Sequence, residues 1–139
     1  MNISNFSHNG IHDTFTNLAA PNYFYEELTR LVSRYERSQA EFRIINVSFV
    51  NITSGHLAEV LEMAAMLQTL LRGEDLAARL GFYEFGLLIN GSEHESLALR
   101  IQDSWKKSLN NEIVLNFKIG EPKKGFDALQ LLNKMDEKA

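Results

Sequence analysis

Apolar positions recur along this chain with two different periods, and the changes of period mark out its elements. After Pro21, a residue suited to a first helical turn, Phe24, Leu28, Leu31 and Tyr35 keep one helical face as far as about Gln39. The segment Phe42–Val50 is β-branched and aromatic and reads as a buried strand. Ser54 and Gly55 offer a cap and a turn before a second helix, with Leu57, Val60, Leu61, Ala64, Leu67 and Leu71 on its stripe. Two short strands, residues 76–80 and 83–90, follow with only Gly81 and Phe82 between them, which is hairpin spacing.

Asn90-Gly91-Ser92 signals a turn, after which Leu97, Ile101 and Trp105 carry a third helix that Asn110-Asn111 interrupts. Residues 112–119 form a last strand, Gly120, Pro122 and Gly125 a loop, and residues 126–135 open a final helix. The order α, β, α, β-hairpin, α, β, α predicts an α+β plait: a central mixed or antiparallel sheet covered by helices, not a doubly wound parallel one. Residues 1–12 are polar and rich in Asn and Ser, and read as a flexible N-terminal segment ahead of one domain, 13–139.

Composition narrows the function classes. The 139 residues are 45% hydrophobic, enough for a real core, and disorder is excluded for most of the chain. A net charge of −4 with no basic stripe argues against nucleic acid as a partner. No apolar run reaches the roughly 18–20 residues of a membrane span, and the polar start is no secretion signal, so a cytoplasmic protein without membrane insertion is expected. The absence of cysteine removes disulfides, thiol catalysis and the strongest zinc ligand. Five Asn-x-Ser/Thr sequons begin at Asn2, Asn5, Asn46, Asn51 and Asn90, but glycosylation would need secretion.

The stretches from Asp75 to Phe85, Asp13 to Phe24, Ala64 to Arg72 and Leu131 to Asp136 together resemble the GGDEF domain, the bacterial diguanylate cyclase family. Asp75-Leu-Ala-Ala-Arg79-Leu-Gly81-Phe82-Tyr83-Glu84-Phe85 is similar to its signature region, with GFYEF in place of GGDEF. Asp13-Thr14-Phe15-Thr16-Asn17-Leu18 with the later Phe24 resembles the family's Asp-x-Leu-Thr-Gly-Leu entry motif. Ala64, Leu67 and Arg72 match the helix before the hairpin, and Leu131-Leu132 followed by Met135-Asp136 resembles a Leu-Leu-x-x-Ala-Asp helix. The resemblance implies a GGDEF-type fold from about residue 12 to the end, and against the family pattern the chain stops near the start of the last helix, which reads as truncated.

It also implies a chemistry. Family cyclases join two GTP molecules into cyclic di-GMP across a dimer with two Mg²⁺ per domain, and hard carboxylate oxygens hold the ions. The positions that match the two metal carboxylates are Asn46 and Tyr83, a neutral amide and a phenol that is hardly ionised at neutral pH. Glu84 remains. Phe82 replaces a glycine whose bare backbone admits phosphate, and its ring should fill that space. Asn51 stands where the family has a lysine, and the following loop, which supplies guanine contacts, is about six residues short. On these grounds the domain reads as degenerate: no enzyme, no catalytic residue, no metal and no cofactor.

One family feature is retained. Arg72-Gly73-Glu74-Asp75 has the Arg-x-x-Asp spacing, five residues before the signature, of the family's inhibitory site for cyclic di-GMP. Arginine offers a planar fork to guanine or phosphate, and aspartate accepts from guanine N–H groups. Arg100 on the next helix is the candidate second arginine. The same tetrapeptide also suits a helix-end ion pair. The reading is therefore a regulatory domain of cyclic di-GMP signalling that binds the dinucleotide through Arg72 and Asp75. The alternatives are a scaffold that binds a protein partner or its own copy without nucleotide and, more remotely, an active cyclase.

Among the remaining candidates, His8 and His12 have helical metal spacing without a third ligand, and His56 and His94 sit at helix starts. Trp105 belongs to a core stripe, and the Lys106-Lys107 and Lys123-Lys124 doublets to solvated faces.

Overall fold

The computed structural model describes residues 11–50, 52, 55–108 and 112–137. The elements run α1 (Pro21–Ser38), β1 (Phe42–Val50), α2 (Leu57–Leu70), β2 (Leu76–Gly81), β3 (Glu84–Asn90), α3 (His94–Lys106), β4 (Val114–Gly120) and α4 (Ala128–Glu137). The strands form one sheet in the order β2-β3-β1-β4, every neighbouring pair antiparallel. This is the expected α+β architecture, with the antiparallel form of the sheet realised.

Both faces of the sheet are covered, which is why β1 and β3 read as nearly continuous apolar runs. On one face Ile45, Val47, Phe85 and Leu87 meet Val60, Met63 and Leu67 of α2 and Leu97, Ile101 and Trp105 of α3. On the other, Ile44, Leu80 and Leu88 meet Phe24 and Leu28 of α1 and Leu131 and Met135 of α4. Two glycines make the second layer possible. A Cβ on Gly86 would lie 2.6 Å from Leu80 Cδ1 and 2.9 Å from Phe24 Cε2, and one on Gly120 would lie 2.5 Å from Met135 Sδ. Only a residue without a side chain lets α1 and α4 approach β3 and β4 this closely.

The outer edge of β2 is closed by the segment that enters α1. Ala19 N–H donates to Ala77 O and Arg79 N–H donates to Ala19 O, each at 3.0 Å. Covering the edge in this way removes a template for intermolecular pairing. Ile11 and His12 belong to this closure: Ala20 N–H donates to Ile11 O, and His12 bridges Ala19. Hydrogen bonding therefore begins at least at residue 11, within the stretch expected to be flexible; residues 1–10, His8 among them, lie outside the described residues.

The entry turn is built on Asp13. Its Oδ2 accepts from Thr16 N–H at 2.8 Å and from Thr16 Oγ1 at 2.6 Å, and Asn17 adopts the left-handed conformation (φ 64°) that asparagine tolerates better than most residues. The carboxylate is fully buried and faces Arg79 Nη1 at 3.4 Å. Arg79 Nη2 donates in turn to Phe82 O at 3.2 Å, and its guanidinium lies over the rings of Phe15 and Phe82.

Several boundaries differ from expectation. The hairpin tip is Phe82-Tyr83, one residue later than predicted, because an irregularity between Arg79 and Gly81 carries β2 on to pair Gly81 with Glu84. The buried stripe of α2 is Val60, Met63, Ala64 and Leu67, and Leu57 and Leu61 are exposed. Helix α4 starts two residues late because Asp127 and Gln130 form a reciprocal cap. Gln130 N–H donates to Asp127 Oδ1 and Asp127 N–H to Gln130 Oε1, each at 2.8 Å. Ser54, Asn110 and Asn111 lie outside the described residues.

Two substitutions test this construction. Gly86→Ala should overpack the α1 layer and lower stability by about 1–3 kcal/mol in urea unfolding. Asp13→Ala leaves Arg79 as a buried charge without its counterion and should cost about 3–5 kcal/mol. A loss under 1 kcal/mol for Asp13→Ala would show that the pair is not a structural link.

Candidate functional site

Two separate groups of polar side chains occupy opposite ends of the β2–β3 hairpin. Near the tip, Asn46 on β1 lies opposite Gly86 of β3 and donates from Nδ2 to Glu84 Oε2 at 2.9 Å. Both line a cleft of about 150 Å³ between the sheet and helices α1 and α4, with Phe24 and Leu132 as apolar walls. Lys118 lines the same cleft. It sits on β4 directly across from Asn46, and its Nζ lies 3.5 Å from Asp136 Oδ1 of α4.

Tyr83 does not join them. Its ring stacks on Phe49 (centroids 6.2 Å apart, planes 24° from parallel) and its hydroxyl donates to Gly55 O at 2.7 Å. The Phe82 ring lies against the Arg79 guanidinium and is 43% exposed. Of the four residues expected at the catalytic positions, the structure brings together Asn46 and Glu84, and it places Phe82 and Tyr83 elsewhere. Asn51 lies outside the described residues.

The donors present can be weighed against the Mg²⁺ that the resemblance implies. That ion asks for near-octahedral oxygen coordination anchored by carboxylates. Across from one another this cleft sets an amide bonded to Glu84 and an ammonium beside Asp136, so each of its two carboxylates already faces a donor. Such a set does not fit a Mg²⁺ pair, and among the described residues no group of three or more His, Asp or Glu side chains is placed to hold a metal. Lys118 went unnoticed in the sequence. Alternation along β4 marks its face, but only the β1–β4 register puts it beside Asn46.

At the open end of the hairpin lies the Arg72–Asp75 turn, which follows the end of α2. Arg72 is half exposed: its Nε lies 3.3 Å from Asp75 Oδ2 and 3.2 Å from Glu74 Oε1, and Nη2 donates to Asn90 O at 2.7 Å. The hydrogen bond that Arg72 donates to Asp75, and then the charge of that carboxylate, hold the guanidinium pKa above its ordinary value. Asp75 is nearly buried and also accepts from Asn90 N–H at 3.0 Å. Arg100 is exposed on α3 and lines the same small concavity as Arg72 and Asp75, with Glu93 at its rim. The three residues that the sequence singled out are thus assembled at one place.

The remaining candidates resolve simply. His56, left-handed at the start of α2, lies 3.7 Å from Glu59, and His94 Nδ1 is 3.1 Å from Ser92 O. Trp105 is core, its indole N–H donating to Ile113 O at 2.8 Å.

Comparison with known proteins places these observations. The profile described as diguanylate cyclase, GGDEF domain, matches residues 10–137. The chain belongs to the GGDEF family. A curated relative, the probable diguanylate cyclase DgcE of Escherichia coli K12, is 31% identical over 98 residues, covering 65% of this chain and 9% of the relative. The chain thus spans about a tenth of that protein's length. Among solved structures, the GGDEF domain of DgcB from Caulobacter crescentus, determined in complex with cyclic di-GMP, superimposes with a TM-score of 0.79 at 18% identity, covering 94% of this chain and 88% of that one. Diguanylate cyclase SiaD of Pseudomonas aeruginosa, in complex with its activator SiaC, gives 0.78 at 23% identity, covering 91% and 55%. Identities at this level speak for the fold.

These matches correct one expectation. The chain was expected to be no enzyme, but the profile that covers it is that of the cyclase family itself, and the curated relative is named as a probable cyclase. The expectation of a non-enzyme does not stand. Among the described residues no helix is long and apolar enough to cross a membrane.

Tyr83→Phe should remove only the bond to Gly55 O and keep the stack on Phe49. A stability loss of about 0.5–1.5 kcal/mol in chemical unfolding is the expected result. A larger loss would mean that the hydroxyl anchors more of the residue 55–56 backbone than this one contact.

Proposed function

We propose that this GGDEF domain acts in cyclic di-GMP signalling by binding the dinucleotide at the turn formed by Arg72 and Asp75, with Arg100 as the second arginine. The observation that carries this reading is the convergence of the three side chains on one concavity at the open end of the hairpin. Their chemistry suits the ligand. A half-exposed guanidinium presents a planar fork to a guanine edge or a phosphate, an aspartate accepts from guanine N–H groups, and a second cation offsets the phosphate charge. The solved DgcB structure, with cyclic di-GMP in complex, adds support from a protein of the same fold. Arg72 and Arg100 attract the phosphate charge, so binding should weaken as salt screens them, the opposing charges of Glu74 and Glu93 making the dependence shallower.

Calorimetric titration with cyclic di-GMP tests the reading, with GTP as a parallel ligand and chromatography of the GTP mixture to register any cyclic di-GMP formed. Saturable heat with cyclic di-GMP is expected. Arg72→Ala should lower the affinity at least about tenfold, since a charge-assisted fork is lost. Its melting temperature should fall only modestly, because Arg72 is half exposed and the nearly buried Asp75 keeps its bond from Asn90 N–H. An intact protein that gives no heat at high micromolar dinucleotide would overturn the reading in favour of a protein-binding module.

A further inference from the structure

Asn90 entered the sequence analysis only as part of a turn signal and a sequon, yet all four of its polar groups bind the structure around Arg72 and Asp75. Its backbone N–H donates to Asp75 Oδ1 at 3.0 Å, and its backbone O accepts from Arg72 Nη2 at 2.7 Å. Its side-chain Nδ2 donates to Glu74 O, and its Oδ1 accepts from Arg34 Nη2 of α1 at 2.6 Å. The sheet makes this possible. Pairing of β3 with β2 ends at Leu76 and Leu88, so β3 runs two residues past its neighbour, and the Arg72–Asp75 turn packs against the overhang. Gly91, at φ 100°, then turns the chain away.

We propose that Asn90 is the positioning residue of the Arg72–Asp75 site, holding both groups in the arrangement that receives the dinucleotide. The inference rests on the reading that this turn is the binding site. An arginine on a free turn must give up rotamer freedom when it grips a ligand, whereas one already tied to a strand terminus gives up less. Asn90 supplies that tie directly, through its carbonyl, and indirectly, by fixing the Asp75 carboxylate and the Glu74 carbonyl on either side of the fork. The end of β3 is held from its other side by β1, where Phe42 pairs with Asn90 and Gly91 N–H donates to Glu41 O. Without its amide, Asn90 keeps its backbone bonds to Arg72 and Asp75, but nothing from it clamps the turn at Glu74 or connects it to Arg34, so the turn that carries the fork moves more freely against the strand.

The test uses the full chain and two readouts. In ligand-free protein, side-chain ¹⁵N NMR should show hindered rotation of the Arg72 guanidinium, and Asn90→Ala should release it. With cyclic di-GMP, Asn90→Ala should weaken calorimetric affinity about tenfold, but should add no loss in an Arg72→Ala background, where there is no fork to position. Asn90→Asp keeps the acceptor for Arg34 and loses the donor to Glu74 O. It should fall between wild type and Asn90→Ala, and it serves if the alanine variant fails to fold. An Arg72 side chain equally ordered in wild type and in both variants would overturn the proposal, as would losses that simply add in the double variant. If wild type binds no cyclic di-GMP while Arg72 order still collapses in Asn90→Ala, the positioning role stands and the ligand reading of the site fails.

Discussion

The buried ion pair between Asp13 and Arg79 is the interaction on which the rest of the arrangement depends. It joins two segments 66 residues apart at the point where the chain enters the domain and where its signature hairpin begins to close. Two opposite charges out of water are tolerated only when each is further satisfied. Here the carboxylate takes two bonds from Thr16, and the guanidinium bonds Phe82 O under two aromatic rings. Desolvation offsets much of the attraction in a buried pair of this kind, while removal of either partner strands an uncompensated charge. It gives the entry turn, the outer edge of β2 and the hairpin tip one compatible arrangement.

From that anchor the hairpin carries both polar groups. Its tip overlooks the cleft of Asn46, Glu84 and Lys118, and its open end holds the Arg72–Asp75 turn. The six residues of β2 set the two about 17 Å apart at ordinary strand rise. The chemistry of the two ends differs in kind. At the tip, an amide bonded to Glu84 faces an ammonium beside Asp136. At the open end, a guanidinium is braced by carboxylate and backbone, an arrangement suited to a planar ligand with phosphates. Membership in the cyclase family and the donor set of the cleft are separate facts, one about descent and the other about local chemistry.

Periodicity and family motifs made most of the fold readable in advance. The strand Phe42–Val50 and the stripe Leu97, Ile101 and Trp105 emerged as expected, because burial on both faces or along one face leaves an unmistakable pattern. The errors were local and had local causes. An irregularity in β2 moved the hairpin tip, and a side-chain cap, Asp127 with Gln130, moved the start of α4. On α2, apolar residues all round the helix hid which stripe was buried, and only the contact with α3 and the sheet selects it.

By itself, the sequence determined the class of fold, the family, and the residue types available at each motif position, since these follow from pattern and spacing along the chain. Arg72, Asp75 and Arg100 were identified in that way. Tertiary structure alone decided which of those residues meet. Strand register put Lys118 across from Asn46, the geometry of the turn directed Tyr83 onto Phe49 and away from Glu84, and the overhang of β3 made Asn90 the tie for Arg72. Register and overhang are properties of pairing between distant segments, set by the packing of the whole sheet, and no local window of the chain encodes them.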